Sequence, residues 1–120
     1  MARTNHGERA RWGILVASLM LALAAPARAQ VTEGEVTIGM SAPFSGVAKE
    51  LGVQMRTGIE VALAAQNAAG GVNGRQLKLV PFDDGYEPAR TLGAMKELVE
   101  KRKVFAILGN VGTPTAAVAV

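Results

Sequence analysis

Beyond residue 30, short β-branched clusters alternate with stretches whose apolar residues recur every three or four positions, and this alternation is the strongest constraint on the fold. Glu35-Val36-Thr37-Ile38-Gly39-Met40 has strand composition and ends in the turn-rich Ser41-Ala42-Pro43-Phe44-Ser45-Gly46. Leu51, Met55, Ile59, Ala62, Leu63 and Gln66 then follow helical spacing, which predicts a helix over 48–69 closed by Gly70-Gly71. Asn73-Gly74 marks a turn. Residues 76–82 predict a second strand, placed at a sheet edge because Pro81 cannot donate a ladder hydrogen bond. Pro88 suits the first turn of a helix carrying Leu92, Met95, Leu98 and Val99. Val104 to Gly109 is wholly apolar, the signature of a parallel strand covered on both faces. A further helix begins near Ala116. Strands alternating with helices imply right-handed βαβ units, hence an α/β fold with a parallel, doubly wound sheet whose first three strands run in order 2-1-3.

The first 29 residues read as a signal peptide. Arg3, Arg9 and Arg11 give a positive start, Ile14 to Ala25 is an apolar run broken by Pro26, and Ala27-Arg28-Ala29 supplies the small-x-small cleavage pattern before Gln30. The run falls short of the roughly twenty residues that span a bilayer, so a cleaved signal-peptide helix is expected rather than an anchor. Arg9-Ala10-Arg11 is not a twin-arginine pair, and there is no cysteine to carry a lipid, so an untethered periplasmic protein is expected.

Of 13 basic and 10 acidic residues the leader holds four arginines and Glu8, which leaves nine of each. A domain neutral overall does not offer nucleic acid the basic surface it requires. Lys101-Arg102-Lys103 is the one basic run, and it sits where cations favour a helix C-terminus. Without cysteine there is no thiolate chemistry, and the sole histidine, His6, lies in the leader. No catalytic residue, metal site or cofactor is expected. The patterns G-x-G-x-x-G, G-x-x-x-x-G-K-[ST] and G-x-S-x-G are absent. Asp83 and Asp84 are the one adjacent acidic pair, and they are expected to cap the Pro88 helix, with Tyr86 packing the loop.

Ligands of open α/β sheets bind beyond the carboxyl ends of the strands where strand order reverses. In order 2-1-3 that point lies between the first and third strands, where loops 41–46 and 110–115 emerge. Backbone N–H groups opening the last helix, with the hydroxyls of Thr113 and Thr115, suit an anion such as a carboxylate. The alternative is that Thr113 merely caps that helix ahead of Pro114, and one hydroxyl can do both.

Four segments in order resemble one family. Gly39 to Gly46 is similar to the first strand and loop of periplasmic binding proteins of the leucine/isoleucine/valine type, the receptors of ATP-driven importers. Asn67 to Arg75 resembles their helix-to-strand turn, Asp83 to Pro88 their acidic loop, and Ile107 to Asn110 their third strand. The resemblance implies a two-lobed protein that closes on a small molecule without catalysis and delivers it to an inner-membrane permease, and that is a monomer when full length. It assigns ligand contacts to Thr113, with Thr115, Gly112 and Asn110 nearby, and to Ser45 and Leu51 on the first-lobe side of the cleft. Leucine stands at position 51, where amino-acid binders commonly carry an aromatic. Residues 30–120 then form the N-terminal part of lobe 1, and the start of a helix at Val120 leads us to expect a truncated lobe. A ligand-sensing receptor domain and a periplasmic flavodoxin-like enzyme are the alternative classes.

The leader makes a direct prediction. Expressed in a double-membrane bacterium, the protein should be recovered from the periplasm with Gln30 as its N-terminus; Edman sequencing that returns Met1 or Ala2 for the dominant species contradicts it.

Overall fold

The computed structural model describes residues 33–120. The signal segment and its cleavage positions Ala27, Ala29 and Gln30 lie outside the described residues. Strand β1 (Glu35–Ala42) leads into helix α1 (Lys49–Ala68), strand β2 (Gln76–Asp83), helix α2 (Pro88–Lys96), strand β3 (Ala106–Ile107) and a single helical turn, α3 (Thr113–Ala116). Both pairings are parallel and the order is β2-β1-β3, as the alternation predicts. β1 and β2 pair over their full lengths, from Glu35 opposite Gln76 to Ala42 opposite Asp83, which leaves Pro81 on an edge strand.

Sequence and structure differ in several elements, among them the last helical turn, which spans Thr113–Ala116 instead of beginning near Ala116. Ser41 and Ala42 belong to β1 rather than to the following loop, because β2 continues to Asp83 and gives both residues a partner. The expected six-residue third strand contracts to Ala106–Ile107. The chain bends through positive φ at Lys103 and Gly109, and the hydrogen bonds to β1 run from Phe105 N to the Thr37 carbonyl and from Leu108 N to the Gly39 carbonyl. Phe105 and Leu108 are exposed rather than covered. Lastly, α2 continues through a wide turn, Glu97–Lys101, closed by Arg102 N on the Glu97 carbonyl. Lys101 and Arg102 both reach the Glu97 carboxylate, at 2.8 and 3.3 Å, so two of the three cations in the basic run are paired there.

Strand alternation sorts the side chains onto two faces. Met40 and Ala42 pack with Val111, Phe44, Ile59, Leu79 and Tyr86 on the α1 side. On the opposite face, Gly39 leaves room for Ile107, Val104 and Leu98, the last of which is fully buried. Beside α1 the first face stays open: Val36, Ile38, Leu77, Phe105 and Ala106 line a groove of about 400 Å³. The edge of β2 is capped by Asn67, whose side chain donates to the Leu77 carbonyl at 2.8 Å and accepts from Leu77 N at 2.7 Å, replacing a missing ladder partner. Asn73 and Gly74, both at positive φ, close the tight turn between Val72 and Arg75 that returns the chain to β2.

The first turn of α1 sits unusually close to the β1–α1 loop. A Cβ on the buried Gly52 would collide with the Pro43 carbonyl, whereas one on Gly58 meets nothing within 4 Å. Alanine is favoured over glycine in a helix interior by about 0.8–1 kcal/mol. Gly58→Ala should therefore raise stability by up to about 1 kcal/mol, and Gly52→Ala should lower it by about 1–3 kcal/mol through overpacking. Urea unfolding of the two variants checks the opposite signs.

Candidate functional site

The carboxyl end of β2 organises the region where a ligand is expected. Asp83 and Asp84 are consecutive on an extended chain, so their side chains leave on opposite sides. Asp83 turns to the β1–α1 loop. Its Oδ1 accepts the backbone N–H of Phe44 at 2.8 Å and of Gly85 at 2.9 Å, and its Oδ2 accepts the Ser45 hydroxyl at 2.6 Å. Arg90 donates to the Asp83 carbonyl at 2.9 Å and lies 3.4 Å from Oδ2. Asp84 turns the other way and is fully buried. Its Oδ2 accepts the Ser41 hydroxyl at 2.8 Å and the Thr91 hydroxyl at 3.1 Å, and its Oδ1 accepts Tyr86 N at 2.9 Å.

The acidic pair therefore does not cap α2, as the sequence suggested. The residue before Pro88 is Glu87, which makes no side-chain capping bond. Asp84 instead spans from β1 to the interior of α2 at Thr91. Tyr86 packs the loop as expected. It lies against the Met40, Ala42 and Val111 cluster, and its ring occupies the space a Cβ on Gly112 would need.

The loop after β3 carries four of the sequence-predicted ligand residues. Gly112, at φ 103°, precedes the first residue of α3, Thr113. Thr113 is exposed, and its hydroxyl makes no hydrogen bond among the described residues, so it is not the helix cap. Thr115 is fully buried, with its hydroxyl directed at the Val111 carbonyl and, 2.8 Å away, the Gly112 carbonyl. Asn110 Oδ1 is 3.5 Å from the Thr115 oxygen, and Asn110 Nδ2 is buried without a hydrogen-bond partner. Of the two donors, the Thr113 hydroxyl is the one open to solvent, while the Asn110 amide nitrogen is enclosed. On the β1 side, Ser45 is half-buried and tied to Asp83, and Leu51 is exposed on the first turn of α1. Sequence reasoning missed Asp83 as the group that holds Ser45. The signal for it was Asp83's place at the end of β2, opposite Ala42 in register.

The sequence profile of the periplasmic binding proteins matches residues 35–120. The chain belongs to the periplasmic binding protein family. An amino acid binding protein of Pseudomonas aeruginosa is 37% identical over 76 residues, which make up 63% of this chain and 20% of that protein. A possible leucine/isoleucine/valine-binding protein from Rhodopirellula baltica superposes with a TM-score of 0.70 at 44% identity, over 81% of this chain and 25% of the other. The branched-chain amino acid transporter substrate-binding protein of Streptococcus pneumoniae, solved with isoleucine, gives 0.69 at 31% identity over 72% of this chain and 25% of the other. The chain thus spans about a fifth to a quarter of the length of these relatives.

Asp83 also sets an acid limit on this periplasmic binding protein segment. Burial pushes its carboxyl up, but the Ser45 hydroxyl, the Phe44 and Gly85 amides and the Arg90 guanidinium outweigh burial and bring it to about 2, from an ordinary 3.8. A carboxylate with a depressed folded pKa stabilises fully above its unfolded value and ceases to do so as pH falls through the folded one. Thermal midpoints should therefore fall between about pH 4 and about pH 2, and Ser45→Ala should shrink that drop. A drop of unchanged size in the variant contradicts the assignment.

Proposed function

We propose that this chain forms the N-terminal part of the first lobe of an exported, non-enzymatic solute receptor. In this reading it binds an amino acid or a related small carboxylate or amide in the periplasm and delivers it to the inner-membrane permease of an ATP-driven importer. The observation that carries the reading is the exposed Thr113 hydroxyl, without a hydrogen bond among the described residues, on the loop leaving β3 in a chain of this family. A free hydroxyl beside the strand-order reversal suits an oxygen of a carboxylate. Support for an amino acid comes from the relatives: one is named an amino acid binding protein, and a structural neighbour holds isoleucine. Thr115, with its hydroxyl turned onto backbone carbonyls, shapes the loop in this reading and leaves the direct contact to Thr113.

One lobe supplies one side of a binding cleft, so affinity here should be millimolar, about −4 kcal/mol. Amide chemical shifts of the full chain titrated with leucine and with isovalerate test the reading. Both ligands should move Asn110 to Thr115, and Thr113→Ala should weaken both by about fivefold to tenfold. Shifts confined to other segments, or an unaffected Thr113→Ala, would reject the carboxylate site.

A further inference from the structure

The turn between α1 and β2 holds the chain's one Asn-Gly dipeptide, Asn73-Gly74. Both residues are exposed, and both lie at positive φ, 52° and 78°. Two hydrogen bonds close the turn, Val72 N to the Arg75 carbonyl at 2.8 Å and Arg75 N to the Val72 carbonyl at 3.0 Å. Neither uses the Gly74 N–H or the Asn73 carboxamide, and both groups are without a hydrogen bond among the described residues. A side-chain amide and the backbone N–H that follows it are therefore open to water and uncommitted. Gly74 has no Cβ to screen its nitrogen, and a Cβ there would meet nothing within 4 Å, so no neighbour crowds the approach either. The other described asparagines differ on each count. Asn67 sits in α1 before Ala68, with its carboxamide held by the backbone of Leu77. Asn110 precedes the β-branched Val111, and its Nδ2 is enclosed.

We propose that Asn73-Gly74 is a self-modifying site: the two residues cyclise to an imide, and hydrolysis of the imide to isoaspartate opens the turn that leads into β2. A base in solution takes the Gly74 amide proton. The Gly74 nitrogen bonds to Asn73 Cγ, the Cγ–Nδ2 bond breaks, and ammonia leaves after taking a proton from water. Water then adds to one of the two imide carbonyls. Cleavage at Cγ gives aspartate, and cleavage at the main-chain carbonyl gives isoaspartate, with the chain rerouted through Cγ. Nothing is oxidised or reduced, and water is the only co-reactant. Aspartate tolerates the positive φ of this turn, so that product keeps it. Isoaspartate inserts an extra carbon into a main-chain loop closed by the paired Val72 and Arg75 bonds, which then cannot both survive. Asn73 also borders the groove lined by Val36, Ile38, Leu77 and Phe105, so either product sets a negative charge at the rim of that apolar groove.

The test incubates the full chain at mildly alkaline pH and follows its peptides by mass spectrometry, with methylation by an isoaspartyl methyltransferase as the probe for isoaspartate. Asn73 should convert at least about tenfold faster than Asn67 or Asn110, faster still at higher pH, with isoaspartate among the products. The aged chain should unfold at lower urea, its folding equilibrium weakened about fivefold or more, the worth of one lost hydrogen bond. Asn73→Gly removes the carboxamide and retains a residue that accepts positive φ. It should start close to the parent's urea midpoint and keep that midpoint through the same incubation. Conversion spread equally over the three asparagines, or seen only in chain unfolded by urea while the folded chain stays intact, overturns the inference. So does an aged chain whose urea midpoint has not moved, or a fall of the same size in Asn73→Gly.

Discussion

Two adjacent carboxylates at the end of an edge strand hold the site together, and they work because an extended chain throws them to opposite faces. Asp83 gathers the β1–α1 loop. Asp84 bolts the end of β1 to the middle of α2. Among the described residues β2 has one strand neighbour, so its last residues would otherwise be free to fray. With Asp84 fully buried and three donors converging on it, fraying would expose a satisfied polar cluster and leave Ser41 without its partner, while the Thr91 hydroxyl would keep only the Glu87 carbonyl at 3.2 Å. The cost of each lost bond of this kind, about 1–3 kcal/mol where the partner stays buried, is large for a domain of this size.

The same geometry explains how the loops are presented. The Gly52 contact brings α1 up against Pro43, and Asp83 pins Phe44 and Ser45 from the other side, so the β1–α1 loop has little freedom. Tyr86, stacked over Gly112, ties the acidic loop to the loop after β3. In the proposed reading the ligand-facing groups sit on loops, but the loops are bridged to one another by side chains of the strand ends, which limits the ordering that binding would require.

The order of elements, the parallel 2-1-3 sheet and the edge position of β2 were legible in the sequence, because hydrophobic period and the placement of Pro81 and Pro88 report on local geometry. The length of β3 was not, since Val104 to Gly109 is apolar throughout and only the positive φ of Lys103 and Gly109 limits the strand. The partners of Asp83 and Asp84 were not legible either. Asp84 and Ser41 lie 43 residues apart, and only the β1–β2 register brings them to one face. Thr113 and Thr115 looked equivalent as hydroxyls. A two-residue spacing on a helical turn separates them, one outward and one into the carbonyls of Val111 and Gly112.

The central claim is that Asp84 couples the end of β1 to α2, and a double-mutant cycle measures it. Ser41→Ala, Asp84→Asn and the double variant of the full chain, each unfolded in urea, yield the coupling between these two side chains. The account predicts an interaction energy of about 1 kcal/mol or more, with both single variants destabilised. Additivity within about 0.3 kcal/mol would mean that the hydroxyl and the carboxylate act independently, and that the strand end is held by something other than this buried acid.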